Sequence, residues 1–157
     1  MISLDYIDIR ILDVLQRDAK INIKDLADQL NMTKTPIYER IKKMEKEGVI
    51  ASYVALLNKK NIGSYITVFC SVSLDMQKAE NLQHFDEAIK NLPEVVECYL
   101  TGGIADYLMK VVVRDLQGYH EFASGKLAKI AHVVQIKSTF VLSEIKYQTA
   151  LPGSIFK

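Results

Sequence analysis

Five cations crowd one short stretch of this chain: Lys34, Arg40, Lys42, Lys43 and Lys46 lie between residues 34 and 46, against only Glu39 and Glu45. The residues before them lean the other way, with Asp5, Asp8, Asp13, Asp18, Asp25 and Asp28 against Arg10, Arg17, Lys20 and Lys24. Wound as a helix at about 100° per residue, the stretch places Ile37, Ile41 and Met44 on one side. Thr35, Glu39, Lys42 and Lys46 fall opposite, with Tyr38 and Lys43 on the flanks. Side chains of these types can read base edges in a DNA major groove, Glu39 by accepting from a cytosine amine. That makes Thr35, Tyr38, Glu39 and Lys42 candidate base readers. Lys43 and Lys46 suit phosphates, and Lys34 in the first turn completes the candidate set. Arg40, at the edge of the apolar side, suits a phosphate or a structural ion pair equally. The plainer alternative is a solvated helix face with i,i+4 pairing among Thr35, Glu39 and Lys43.

Such a helix needs a scaffold, and the preceding residues supply one. Asp5 can cap a first helix, with Leu4 set to staple against Ile9. Ile7, Ile11, Leu12 and Leu15 recur at helical spacing and carry that helix to about Asp18. Ile23, Leu26, Ala27 and Leu30 mark a second, shorter helix with Asn31 as a left-handed C-cap. Thr33 and Thr35 flank a third start, Pro36 suits its first turn, and Gly48 ends it. Three helices in this order fit a helix-turn-helix. Val49 to Leu56 reads as a short strand, so residues 1–50 form one domain and residues 51–64 a linker strand.

From Tyr65 the pattern changes. Ile66, Val68, Cys70, Val72 and Leu74 alternate as a strand, and Leu82, Phe85, Ile89 and Leu92 follow at helical spacing up to Pro93. Val95 to Thr101 and Tyr107 to Val113 read as two strands. Leu116, Tyr119, Phe122, Leu127 and Ile130 suggest a second helix, and Val133 to Tyr147 a long closing strand. The order βαββαβ predicts a ferredoxin-like sandwich over residues 65–150, making the chain α+β with a winged helix-turn-helix in front. Tyr65, Phe69, Phe140 and Leu142 are too apolar for water, so a second subunit is expected against the open sheet face.

Composition excludes several other classes. Lys and Arg total 20 against 19 Asp and Glu, a net charge of +1, so any nucleic-acid signal is local. No apolar run approaches a membrane span, and the opening residues alternate apolar side chains with charges, so a cytoplasmic protein is expected. Cys70 and Cys98 show neither CxxC spacing nor clustering with histidine, which argues against a disulfide framework or a metal site. His84, His120 and His132 are isolated, and no nucleophile–base set or phosphate loop is present, so no catalytic residue is assigned.

The ordered set Leu4-Asp5-x-x-Asp8-x-x-Ile11-Leu12, Leu26-Ala27, Thr33-x-Thr35-Pro36, Arg40-Ile41-Lys42 and Glu47-Gly48-Val49-Ile50 resembles the DNA-binding half of the Lrp/AsnC transcription regulators. Pro93-Glu94-Val95-Val96-Glu97-Cys98-Tyr99 with Thr101-Gly102-x-x-x-Asp106-Tyr107-Leu108 resembles the ligand-sensing half. Lys20, Asn31, Thr33 and Thr35 depart mildly from the family's usual Arg, Gly and Ser. The resemblance implies binding to double-stranded DNA, no cofactor, and sheet-paired homodimers assembling to tetramers or octamers. It also implies a small amino-acid effector held between dimers near the loop Thr101, Gly102, Gly103, Ile104, Ala105, Asp106 and Tyr107. Gly102 and Gly103 can take positive φ and bring N–H groups to an α-carboxylate, Asp106 can accept from an α-ammonium, and Ser138 and Thr139 can offer hydroxyls. A plain hairpin loop is the other reading of the two glycines. An effector-independent DNA-organising protein of the same fold is the alternative function.

Overall fold

The computed structural model describes residues 3–155, with only the backbone of Lys60. Two compact units emerge: Met1–Leu56 with Lys146–Lys157, and Leu57–Ile145.

In the first unit, α1 (Tyr6–Leu15) begins at a reciprocal cap. The Asp5 carboxylate accepts from Asp8 N at 2.9 Å, and the Asp8 carboxylate accepts from Asp5 N at 3.1 Å. The helix ends at Leu15, short of Asp18, whose carboxylate instead accepts from Lys20 N at 2.9 Å and shapes the following turn. Helix α2 (Ile23–Gln29) is capped by the Asn22 side chain, and Asn31 closes it with φ 53°. Helix α3 (Lys34–Lys46) starts at Thr33, holds Pro36 in its first turn and is followed by Gly48 at φ 73°. The helices share a core of Ile11, Leu12, Leu26, Ala27, Ile37, Ile41 and Met44. Burying each large aliphatic chain contributes about 1.5–3 kcal/mol, so the apolar stripe of α3 dictates which of its faces points outward. Leu4 packs on this core, while Ile9 faces Gly153 near the C-terminus.

The strand expected after Val49 does not form. Residues 51–58 are exposed and make no hydrogen-bonded ladder. Alternating apolar residues favour extended chain, but a strand also needs a partner edge, and none lies alongside within the described residues.

The second unit is a four-stranded antiparallel sheet in the order β2-β3-β1-β4, with β1 Ile66–Leu74, β2 Val95–Leu100, β3 Tyr107–Val113 and β4 Val133–Phe140. Helices α4 (Ala79–Lys90) and α5 (Leu116–Gly125) supply Phe85, Ile89, Tyr119 and Phe122 to a core with Val68, Cys70, Val72, Met109 and Val111. This is the ferredoxin-like order. Strand β4 stops at Phe140 and does not continue to Tyr147. Val141 N still donates to Thr67 O at 3.0 Å, but β1 begins at Ile66 and offers no further partner. Helix α5 ends at Gly125, and a separate 3-10 turn, Leu127–Lys129, takes the chain toward Ile130.

Register also corrects one face assignment. Phe140 pairs with Val68, so it lies on the helix-covered face, its ring edge-on to Tyr119 at 5.1 Å. Phe69 is on the opposite face, and Leu142 is 98% exposed. No helix among the described residues is long and apolar enough to cross a membrane.

Candidate nucleic-acid interface and effector cavity

Because Ile37, Ile41 and Met44 are buried, α3 must present its remaining residues outward. Lys34, Thr35, Tyr38, Glu39, Lys42, Lys43 and Lys46 are all exposed. Lys42 Nζ lies 2.8 Å from Glu45 and 5.7 Å above the Tyr38 ring. Glu45 also accepts from Tyr53 Oη at 2.9 Å. Lys42 holds the Glu45 carboxyl below its ordinary range, with Tyr53 adding to the effect. Partial desolvation, reinforced by Glu45, pushes the hydroxyl of the half-exposed Tyr53 up to about 12. Lys34, Lys43 and Lys46 have no carboxylate partner among the described residues. They leave the outward face of α3 positive.

Arg40 is different. Its Nη1 donates to Asp5 at 2.6 Å and to Asp8 at 2.7 Å, tying α3 to the capping box of α1. The Asp8 amide, and then Arg40, hold the Asp5 carboxyl below the usual carboxylate range. Of the two roles open to Arg40, the structure contains the ion pair. Its place on the helix alone left no way to see that partners 32 and 35 residues away converge on it.

In the second unit the loop between β2 and β3 closes on itself. Thr101 N donates to Asp106 O at 2.8 Å and Thr101 Oγ1 to Ala105 O at 2.7 Å. The left-handed turn expected at Gly102-Gly103 is absent, the described glycines with positive φ being Gly48 and Gly63. The loop is long enough to reverse without one. Open space surrounds both glycines.

Asp106 is the buried acid of this unit, 6% exposed. Its carboxylate accepts from Leu74 N at 2.7 Å and from the Gln77 side chain, so it stitches the loop to the end of β1. Buried and tied to β1 by these bonds, the carboxylate is not among the groups that line the neighbouring cavity. Ser138 is also directed elsewhere. It pairs with Cys70 on the helix-covered face, and its hydroxyl bonds that of Tyr119, which in turn lies 3.2 Å from Cys70 Sγ. Thr139 is opposite Phe69 on the outer face.

Beside the loop, that outer face holds an open cavity of about 360 Å³. Thr101, Ile104, Ala105 and Tyr107 line it from the loop and the start of β3. Ser71, Ser73, Leu108, Gln135 and Lys137 line it from the sheet. Ladder pairing brings the sheet residues together, Ser71 opposite both Leu108 and Lys137, and Ser73 opposite Gln135. Sequence reasoning missed Ser71, Ser73, Gln135 and Lys137. Period two along β1 held the signal for the serines, since the residues between them are buried.

Neither thiol is poised for chemistry. Burial raises Cys70 and pushes Cys98 up to about 11. No group of His, Cys, Asp and Glu that could hold a metal occurs among the described residues.

Comparison with known proteins bears on both units. Residues 4–51 match a winged helix-turn-helix DNA-binding domain, and residues 67–151 match the Lrp/AsnC ligand binding domain. The chain belongs to the Lrp/AsnC family. It is 37% identical over 152 residues to the Bkd operon transcriptional regulator of Pseudomonas aeruginosa, covering 97% of this chain and 99% of that one. An AsnC family transcriptional regulator from Agrobacterium tumefaciens superposes with a TM-score of 0.92 at 38% identity, covering 98% and 100% of the two chains. A transcriptional regulator from Neisseria meningitidis, solved as its L-Met complex, superposes with a TM-score of 0.89 at 30% identity, covering 95% and 96%. This Lrp/AsnC chain is thus a DNA-binding transcription regulator that carries a ligand-binding domain.

Proposed function

We propose that the protein reads specific DNA sequences with α3, and that a small amino acid held in the outer-face cavity changes its assembly or DNA affinity. The observation that carries the DNA reading is the outward face of α3, where Lys34, Lys43 and Lys46 lack internal partners beside exposed Thr35, Tyr38 and Glu39. Thr35, Tyr38, Glu39 and Lys42 are the base readers, the three unpaired lysines meet phosphates, and Arg40 holds the helix in place. The effector reading is supported by the Neisseria relative, a complex with L-Met, and by a cavity beside the 101–106 loop.

The same reading assigns residues 1–50 to DNA, 51–64 to a linker, and 65–150 to effector binding and oligomerisation. Homodimers associate through the outer sheet face, where Phe69 and Tyr99 are 38% and 54% exposed, and assemble further to tetramers or octamers. A dimer then reads half-sites about 10 bp apart or a multiple of that. The protein works in the cytoplasm and carries no catalytic site.

Selection from a random duplex pool, followed by titration of amino acids with and without the selected DNA, tests both parts. A selected consensus whose affinity shifts with an amino acid is the expected result. Binding without sequence preference and without any amino-acid response would instead identify a DNA-organising protein.

A further inference from the structure

The cavity beside the 101–106 loop is lined by one formal charge, the ammonium of Lys137. Lys137 is exposed on β4, and no carboxylate of the described residues pairs with it. The other polar lining groups near it, the hydroxyls of Ser71 and Ser73 and the amide of Gln135, are neutral. Asp106, the acid of the loop, is not part of the lining and is occupied by Leu74 N and Gln77.

This charge balance discriminates among effectors. The α-ammonium and α-carboxylate of an amino acid cancel, so a ligand with a neutral side chain brings no net charge to balance Lys137. A neutral side chain then leaves Lys137 against the ligand with less water and no counter-charge, which is unfavourable. A side chain ending in a carboxylate supplies that counter-charge through a charge-assisted hydrogen bond. The register that sets Lys137 opposite Ser71 puts hydroxyl donors beside the same carboxylate. We propose that the effector is an acidic amino acid, aspartate or glutamate, whose side-chain carboxylate is received by Lys137. The proposal rests on the reading of this cavity as the effector site.

Calorimetry on the full chain with L-glutamate, L-glutamine, L-aspartate, L-asparagine, L-methionine and L-leucine is the test, because each acid and its amide differ in charge at nearly constant size. An acid should bind at least about tenfold tighter than its amide. Lys137→Met should abolish that preference, and Lys137→Arg should retain it. Lys137 makes no ion pair among the described residues, so unchanged circular dichroism and urea midpoints are expected for both variants and confirm that folding is intact. An amide or apolar amino acid binding wild type as tightly as the acids overturns the proposal and leaves the cavity as the effector site. An acid preference that survives in Lys137→Met also overturns it. Binding of none of the six overturns the acidic-effector proposal, and the titration of all amino acids with and without DNA then tests the effector reading separately.

Discussion

Arg40 of α3 donates to the Asp5 carboxylate at 2.6 Å, the same carboxylate that caps the first turn of α1. The start of one helix and the middle of another therefore depend on a single acid. Asp8 completes the arrangement at 2.7 Å from Arg40, with its side chain 13% exposed. Helix α3 is tied to the start of α1 by this contact as well as by the apolar core. It lies on the flank of the helix proposed to read DNA.

Breaking the pair should therefore cost stability rather than phosphate contacts. Arg40→Met should lower unfolding stability by about 1–2 kcal/mol, a charged hydrogen-bond value discounted for solvent exposure. Because Asp5 is held below its ordinary 3.8, its contribution is present above that value and lost as pH falls through its lower folded pKa. Urea unfolding should show the gap between wild type and variant in full at pH 7 and narrowing below about pH 4. The salt slope of DNA binding should stay at the wild-type value.

The lysines of α3 should divide into two kinds. Lys43→Ala and Lys46→Ala should each reduce the slope of log affinity against log salt by about one, equally for all sequences. Thr35→Ala and Lys42→Ala should instead relax discrimination at one base position by roughly tenfold. Fluorescence anisotropy on a selected site and its point variants, at several salt concentrations, separates the two. Wild-type preference and slope in all four variants would remove α3 from the interface.

Asp106 should behave as a structural residue. Asp106→Ala leaves the Leu74 amide and the Gln77 side chain without their acceptor, which should cost about 1–3 kcal/mol in urea unfolding. Hydrogen exchange at the Leu74 amide should accelerate. An unchanged exchange rate there would mean that the loop is held by other contacts.

The thiols should be quiet in the folded protein. With Cys98 pushed up to about 11, roughly a thousandth of it is thiolate at pH 8, and a disulfide reagent should label it slowly until the chain unfolds. A thiol whose folded pKa is raised contributes stability that is complete below its unfolded value of 9.0 and is lost as pH climbs through the folded one. Stability should therefore decline between pH 9 and 11, and Cys98→Ser should make that decline shallower.

What could be read from the sequence is what depends on near neighbours. Ile37, Ile41 and Met44 declare the buried side of α3 by their spacing alone, and so name its outward residues. Asp5, Asn31 and Gly48 mark helix ends because caps are made within a few residues. Alternation in β1 and β3 likewise announces the sheet, and the ordered motifs carry the family.

Tertiary structure decided whatever needs a partner far along the chain. Arg40 became a brace because Asp5 and Asp8 come to it from another helix. Ser138 turned away from the cavity and Lys137 toward it because ladder register with β1 sets the face, and a one-residue difference inverts a side chain. Strand β4 ended at Phe140 because β1 ran out, and residues 51–58 formed no strand for want of an adjoining edge. The C-terminal stretch came back to α1, where Gln16 Oε1 accepts from Leu151 N at 2.7 Å. Side-chain periodicity records which face of an element is apolar. It does not record which distant element supplies the other half of a hydrogen bond, because that is settled only when the cores close.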